Sequence, residues 1–244
     1  MSDGRINRFG GDHSRQKLNV VKSYLDGWAK VMSRQPFHRR YIDAFSGTGH
    51  FEPKAEGELD DQSYLLEPED EEGGRIFLEG SALQALEVEP PFDRIDLIEL
   101  KSSAAELLGE SVREYNHSNL TVHAEDANII IPQLCSRFGA KDRAVIFLDP
   151  YGAQVEWKTL EAISQTQAAD VWYLLPVSII NRMLARNPDR ITEGWANAIT
   201  RCVGTEEWRD RFYRTEIKTD LFGQIPETAK EGSLIEERAS FWNA

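Results

Sequence analysis

The strongest constraint on this chain is a rhythm. Between residues 95 and 175, short apolar runs alternate with stretches of helical period. The runs are Ile95–Leu100, Leu120–His123, Ala144–Leu148 and Val171–Leu175, the last closed by Pro176. Between them lie 103–115, with Ala104, Leu107, Leu108 and Val112 in phase, then Asn128–Phe138 and 156–167. A short apolar run bounded by turn residues reads as a buried strand, and a 3.6-residue stripe reads as an amphipathic helix. Strands alternating with helices imply an α/β fold, a mostly parallel sheet with helices on both faces. Right-handed crossovers then bring every strand's carboxyl end to one rim, where open α/β sheets bind ligands.

The chain opens this pattern earlier, at Tyr41-Ile-Asp-Ala-Phe-Ser-Gly-Thr-Gly49. Tyr41-Ile42 reads as a strand that delivers Asp43 onto a loop holding Phe45, Gly47 and Gly49. Glycine permits positive φ there and lets a ligand come close to the backbone N–H groups. A dinucleotide fingerprint needs a third glycine where Glu52 stands, and Pro53 and Gly57 follow, which disfavours a nicotinamide oxidoreductase. Acid-x-x-x-Gly-x-Gly after a first strand instead resembles the cofactor loop of S-adenosylmethionine-dependent methyltransferases. Taken alone, the nonapeptide also fits an ordinary strand-to-turn junction.

The later strands carry matching acids. Glu99 ends the second strand, where a carboxylate accepts hydrogen bonds from both ribose hydroxyls. Asp126 follows the third, where an acid accepts from an adenine amino group, and Asp43 would face the methionine amino group. Three acids at three consecutive strand ends are hard to explain as surface decoration. After the fourth strand comes Asp149-Pro150-Tyr151-Gly152. Amino-group methyltransferases acting on nucleobases use an acid or amide, prolines and an aromatic here: the first accepts from the target amine, and the ring stacks on the base. This chain has one proline before its aromatic, so an aspartate capping the next helix, with Tyr151 on the core, is the competing reading.

Charge matters through its distribution. The 244 residues carry a net −13, yet residues 1–40 hold nine Lys or Arg against three Asp. An acidic protein does not bind nucleic acid over its whole surface, but a basic arm with Arg5, Arg8, Arg15, Lys17, Arg39 and Arg40 could supply phosphate contacts to DNA or RNA. A solvated helix face explains the same charges. Two isolated cysteines, Cys135 and Cys202, lack metal-ligand spacing and read as buried thiols, so no metal site and a cytoplasmic setting are expected. No apolar run is long enough to span a membrane.

Around this frame, residues 1–12 read as a flexible N-terminus. A helix over Ser14–Met32 carries Leu18, Val21, Leu25, Trp28 and Met32 on one stripe. Residues 50–79 hold eleven Asp or Glu among thirty and read as an acidic insertion, either a lid or a solvated loop. Ser81 would cap the helix that follows. Beyond Pro176 the chain reads as helical, with weak alternation from Thr215 to Phe222 and no partner strand after it. The C-terminal strands of the sheet are therefore expected to be missing or degenerate, leaving an edge near Phe241 and Trp242 that favours association with another copy.

Taken together, several segments resemble the three-Cys-motif partner (TcmP) family of bacterial and phage proteins. They are His13 with Lys17, Tyr24-Leu25 with Trp28, and Tyr41–Gly49, then Gly80-Ser81 with Ala85-Leu86, Phe147–Gly152 with Trp157, and Asn181-Arg182. The resemblance implies a Rossmann-like methyltransferase domain over 13–186 and a helical extension of the same domain over 187–244. It also implies S-adenosylmethionine as cofactor, with S-adenosylhomocysteine as product, and a partner bearing a three-cysteine, radical-SAM-like motif. On this reading Asp43, Phe45, Gly47, Gly49, Glu99 and Asp126 bind cofactor, while Asp149 and Tyr151 serve catalysis on a nucleic-acid amino group. The rival is a non-catalytic scaffolding subunit whose partner does the chemistry.

Overall fold

The computed structural model describes residues 9–47, 81–82, 84–220 and 223–230. Gly49, the acidic insertion 50–79 and Phe241-Trp242 lie outside the described residues. The first helix, α1 (Phe9–Met32), starts earlier than the apolar stripe suggested and buries Val21, Leu25 and Trp28. Strand β1 (His38–Asp43) follows, then β2 (Arg94–Ile98), α2 (Ser102–Val112), β3 (Leu120–His123) and α3 (Ala127–Cys135). The rhythm continues with β4 (Asp142–Leu148), α4 (Trp157–Thr166) and β5 (Ala169–Tyr173).

These five strands form one sheet in the order β3-β2-β1-β4-β5, every neighbouring pair parallel. The expected Rossmann-like α/β sheet is therefore present, with the first strand at its centre. Its two faces follow from the period of two along each strand. Tyr41, Ile95, Leu97, Val145 and Phe147 pack with Val21, Leu25 and Trp28 of α1, with Ala82 and Ala85, and with Leu108 and Val112 of α2. Residues on the alternate positions, Ile42, Ile98, Ile146 and Leu148, are fully buried on the opposite face. There Arg40 lies over the Phe138 ring just after α3, 4.6 Å from its centroid. Thr159 of α4 donates to Asn128 of α3 at 2.8 Å, so those two helices are tied to each other.

The first helix is also pinned to the last strand of the sheet. The Tyr24 hydroxyl and the Trp28 indole N–H both donate to Asp170 Oδ2, at 2.9 and 2.6 Å, and Tyr24 meets Trp172 edge-on at 5.0 Å. Burial and the bonded carboxylate together raise the Tyr24 hydroxyl to a pKa of about 12. Cys135 and Cys202 are buried thiols outside any disulfide, as expected, and burial lifts the Cys135 thiol to about 11. Among the described residues no helix is long and apolar enough to cross a membrane.

The described residues divide into two compact units. One holds 9–47, 81–82, 84–149 and 159–174; the other holds 150–158, 175–220 and 223–230. The second unit contains α5 (Val177–Met183), a 3-10 turn, α6 (Glu193–Val203) and α7 (Trp208–Phe212) around a core of Ile180, Met183, Ile199, Trp208 and Phe212. It then corrects two expectations. The extension is not wholly helical, and a partner strand does follow Thr215: β6 (Tyr213–Asp220) pairs antiparallel with β7 (Gly223–Lys230) in a separate two-stranded sheet. A two-stranded ribbon needs no strongly apolar alternation, so the weak pattern after Thr215 did not reveal it. The Lys230 ammonium donates to the Asn181 and Leu184 carbonyls at 3.3 and 2.9 Å, satisfying the trailing end of α5.

Candidate functional site

The candidate site follows from where β1 stops. Asp43 is its last residue, flanked in register by Leu97 of β2 and Phe147 of β4. The chain beyond it stays bonded to both neighbours: Ala44 N–H donates to the Phe147 carbonyl and Ser46 N–H to the Ile98 carbonyl, each at 2.9 Å. Gly47 then takes φ 66°, a left-handed conformation that side-chain-bearing residues adopt only with strain. The sequence's glycine loop is thus a fixed turn clamped across three strands.

Asp43 is fully buried. The Phe45 N–H donates to its Oδ1 at 3.3 Å, the Ser81 hydroxyl bonds its carboxyl, and the Tyr41 hydroxyl stands 3.5 Å from Oδ2. Ser46 Oγ donates to its main-chain carbonyl at 3.2 Å. Burial dominates these contacts and raises the carboxyl pKa from the usual 3.8 to about 6. Asp43 therefore shapes the loop from beneath and sets its field, rather than presenting an open carboxylate. A neighbouring cation would oppose the effect of burial and favour the ionised form.

The other expected acids fall on the same rim. Glu99 is half-buried one residue past β2; its N–H donates to the His123 carbonyl at 3.0 Å, and its Oε1 accepts from Lys101 N–H at 3.0 Å. Asp126 is the N-cap of α3: its Oδ1 accepts from Asn128 N–H at 2.8 Å and from the Asn128 amide at 3.0 Å. Both bonds use one carboxylate oxygen. The order β3-β2-β1 thus sets Asp126, Glu99 and Asp43 side by side on the carboxyl rim, neighbouring strands being about 4.8 Å apart. Phe45, half-buried, belongs to the same turn.

Asp149 stands half-buried one residue past β4, on this rim of the first unit, whereas Tyr151 belongs to the second. The next helix begins only at Trp157, so Asp149 is not its cap, and Tyr151 is 40% exposed. Tyr151 N–H donates to Gln154 Oε1 at 3.0 Å, which shapes the turn.

Several residues escaped the sequence reading. Ser81, expected only as a helix cap, reaches Asp43. Tyr41 shares a strand face with Asp43, which the i, i+2 spacing could have revealed. A buried charged cluster surrounds Asp96, which is fully buried in mid-strand. Arg94 grips it with Nε and Nη2, both at 2.8 Å, and His123 Nε2 lies 2.9 Å away. Burial would raise the Asp96 pKa, but the Arg94 and His123 bonds overcome it and hold the carboxyl at about 2. An acid inside an apolar strand was the available signal. The basic arm needs correction as well. Arg39 is engaged by Asp93 through its N–H, Nε and Nη2 at 2.7, 3.0 and 2.9 Å, and Arg40 is 7% exposed. Both lie near the start of β1, at the opposite end of the sheet from Asp43, so neither is a surface phosphate contact on the cofactor rim. Arg5 and Arg8, and the side chains of Arg15 and Lys17, lie outside the described residues.

No family model matches the chain, and no curated protein matches it. Among solved structures it is similar to the "putative methyltransferase yhhF" of Escherichia coli, at 11% identity over 87% of each chain with a TM-score of 0.35. It is also similar to magnesium protoporphyrin IX methyltransferase (ChlM) from Synechocystis PCC 6803, solved with bound SAM, at 15% identity over 94% of this chain and 87% of that one, with a TM-score of 0.32.

Proposed function

We propose that this chain binds S-adenosylmethionine at the carboxyl rim of its sheet and transfers a methyl group to an amino group of nucleic acid, acting with a three-cysteine-motif partner. The observation that carries the reading is the row of acids after β1, β2 and β3 beside the positive-φ turn at Gly47. The donor set fits the cofactor. Glu99 accepts from two ribose hydroxyls, Asp126 from an adenine amino group through its second carboxylate oxygen, and Gly47, without a Cβ, lets the ligand come close to the turn. Asp43 supplies negative potential to an ammonium group through the loop it organises. When bound, the cofactor supplies an electrophilic methyl group on a sulfonium. Asp149 accepts a hydrogen bond from the target amine and orients its lone pair, and Tyr151 offers a ring for base stacking.

The test is calorimetry with S-adenosylhomocysteine on the full chain, then methyl transfer to DNA, RNA and protein with and without the partner. Saturation at 100-fold over the dissociation constant adds roughly 2.7 kcal/mol of stability. Glu99→Ala removes most of that gain and leaves the unliganded melt nearly unchanged, because Glu99 is half-buried and holds only its own turn. Absence of heat and of thermal shift with the homocysteine product rejects the cofactor site.

A second reading, a scaffolding subunit that leaves the chemistry to its partner, draws on the sheet edge. The β6–β7 hairpin pairs with itself in a separate sheet, and β5, the last strand of the five, exposes Val171 at 42%. Edge strands of this kind favour association. Cofactor binding with no transfer to any acceptor, alone or with partner, selects this reading.

A further inference from the structure

The end of the sheet away from the proposed cofactor rim holds a second polar recess. The leading residues of β1, β2 and β4 and the trailing turn of α3 line an open recess of about 450 Å3. Its basic residues are Arg40, Arg94 and Arg137, with His38 beside them; its acids are Asp93 and Asp142. Most of these charges are already matched. Asp93 is taken by Arg39, and Arg94 is held bidentate by the buried Asp96. Among the described residues Arg40 meets the Asp96 and Asp142 carboxylates only at 3.8 and 3.9 Å, and Arg137 meets no carboxylate.

Arg40 is the informative group. Its side chain is 8% exposed, and the Phe138 ring covers one face of its guanidinium. Its nearest carboxylate oxygens, on Asp96 and Asp142, are 3.8 and 3.9 Å away, outside hydrogen-bond range. Its Nε is buried with no hydrogen-bond partner. A buried guanidinium left without acceptors is costly, and a planar fork of donors is the geometry that an oxyanion satisfies best. Arg137, exposed on the turn after α3, gives a second donor at the mouth. Asp142 turns Oδ2 to Gly139 N–H at 2.7 Å, while Oδ1 accepts no hydrogen bond among the described residues. That oxygen suits a ligand hydroxyl. The recess lies in the size range of small-molecule sites, roughly 300–1,000 Å3, far larger than one phosphate needs.

We propose that this recess binds a small phosphomonoester that also carries hydroxyl groups, its phosphoryl oxygens on Arg40 and Arg137 and a hydroxyl on Asp142. The inference is independent of the cofactor reading, since the two rims lie at opposite ends of β1. The burial of Arg40 favours a free phosphomonoester over a polymer backbone, which could not seat its phosphates so deep.

The full chain is titrated by calorimetry with ribose 5-phosphate, ribose, and a 5′-hydroxyl oligothymidylate at fixed ionic strength, and the melt is followed in parallel. The expected result is saturable binding of ribose 5-phosphate and none of ribose. Arg137→Ala and Arg40→Lys should each weaken it roughly tenfold or more, the effect of losing a charge-assisted hydrogen bond. Asp142→Asn should weaken ribose 5-phosphate more than inorganic phosphate. If Arg40→Lys does not fold, Arg137→Ala carries the test, because that side chain is exposed. Three outcomes overturn the proposal: no saturable binding of ribose 5-phosphate, affinity unchanged in the arginine variants, or binding of the oligonucleotide alone. Competition by S-adenosylhomocysteine likewise overturns it, since it assigns the phosphate to the other rim.

Discussion

The Asp43→Asn variant is expected to gain stability relative to wild type as pH rises from 5 to 8 while its hold on the cofactor weakens. Burial raises the Asp43 pKa from 3.8 to about 6. Each unit corresponds to about 1.36 kcal/mol. Because the folded-state pKa lies above the unfolded one, the favourable state is the protonated one: the fold is undiminished below pH 3.8 and loses stability as pH rises through 6. The full loss is about 3 kcal/mol; linkage places about 1.6 of it at pH 5 and nearly all of it at pH 8. The variant amide does not titrate. Its stability relative to wild type should therefore improve by about 1.4 kcal/mol between pH 5 and pH 8, whatever the fixed effect of exchanging an oxygen for a nitrogen beside Phe45 and Ser81. Urea unfolding of both proteins at the two pH values measures this directly, with midpoint and slope reported together. An offset identical at pH 5 and pH 8 refutes the reasoning, since the carboxyl would then not be titrating in that window. Calorimetry should show the variant binding S-adenosylhomocysteine more weakly at pH 8, where wild type carries the charge.

Further outcomes follow from other parts of the molecule. Asp149→Ala should leave cofactor affinity within a few-fold and cut transfer by on the order of 10²-fold, the effect of losing one preorganised hydrogen-bonding group, while Tyr151→Phe should be nearly silent in the same single-turnover assay. Gly204 has φ 78° at the end of α6, and a Cβ there would come within 2.3 Å of the Trp157 ring. Gly204→Ala should therefore destabilise by about 1–3 kcal/mol in a urea melt, through overpacking and strain together. Asp96, held at about 2, contributes roughly 2.4 kcal/mol at pH 7 that is lost as pH falls from about 5 toward 2. Asp96→Asn should remove that part of the acid limb from the stability–pH curve.

The sheet was legible in the sequence because its strands are short apolar runs separated by helical stripes, and that pattern is local. The acids on the carboxyl rim were legible for a related reason: each sits where its run ends, so Asp43, Glu99 and Asp126 needed only the strand boundaries. Their partners were not. Ser81 reaches Asp43, and His123 reaches Asp96, across separations that no local pattern encodes. Arg39 and Arg40 look alike in sequence, yet neighbouring residues on a strand face opposite ways, so one meets Asp93 and the other is buried against Phe138. The β6–β7 ribbon was missed because a two-stranded ribbon buries little on either face and shows weak alternation.

The placement of β1 has a consequence for how the polypeptide is made. Of the five strands of this sheet, the earliest in the chain is the central one, flanked by β2 and β4, whose partners in register begin at Arg94 and Asp142. Until Leu148 has left the ribosome, about five to twenty seconds after Asp43 at ordinary elongation rates, β1 keeps an unpaired edge. Helix α1 waits longer, because Asp170, the acceptor for both Tyr24 and Trp28, is made later still. The amino-terminal segment therefore emerges with its apolar stripe and a strand edge uncovered, a nascent chain suited to chaperone capture. Stalled chains ending before residue 142 should be more protease-sensitive over 20–43 than chains extended past 173.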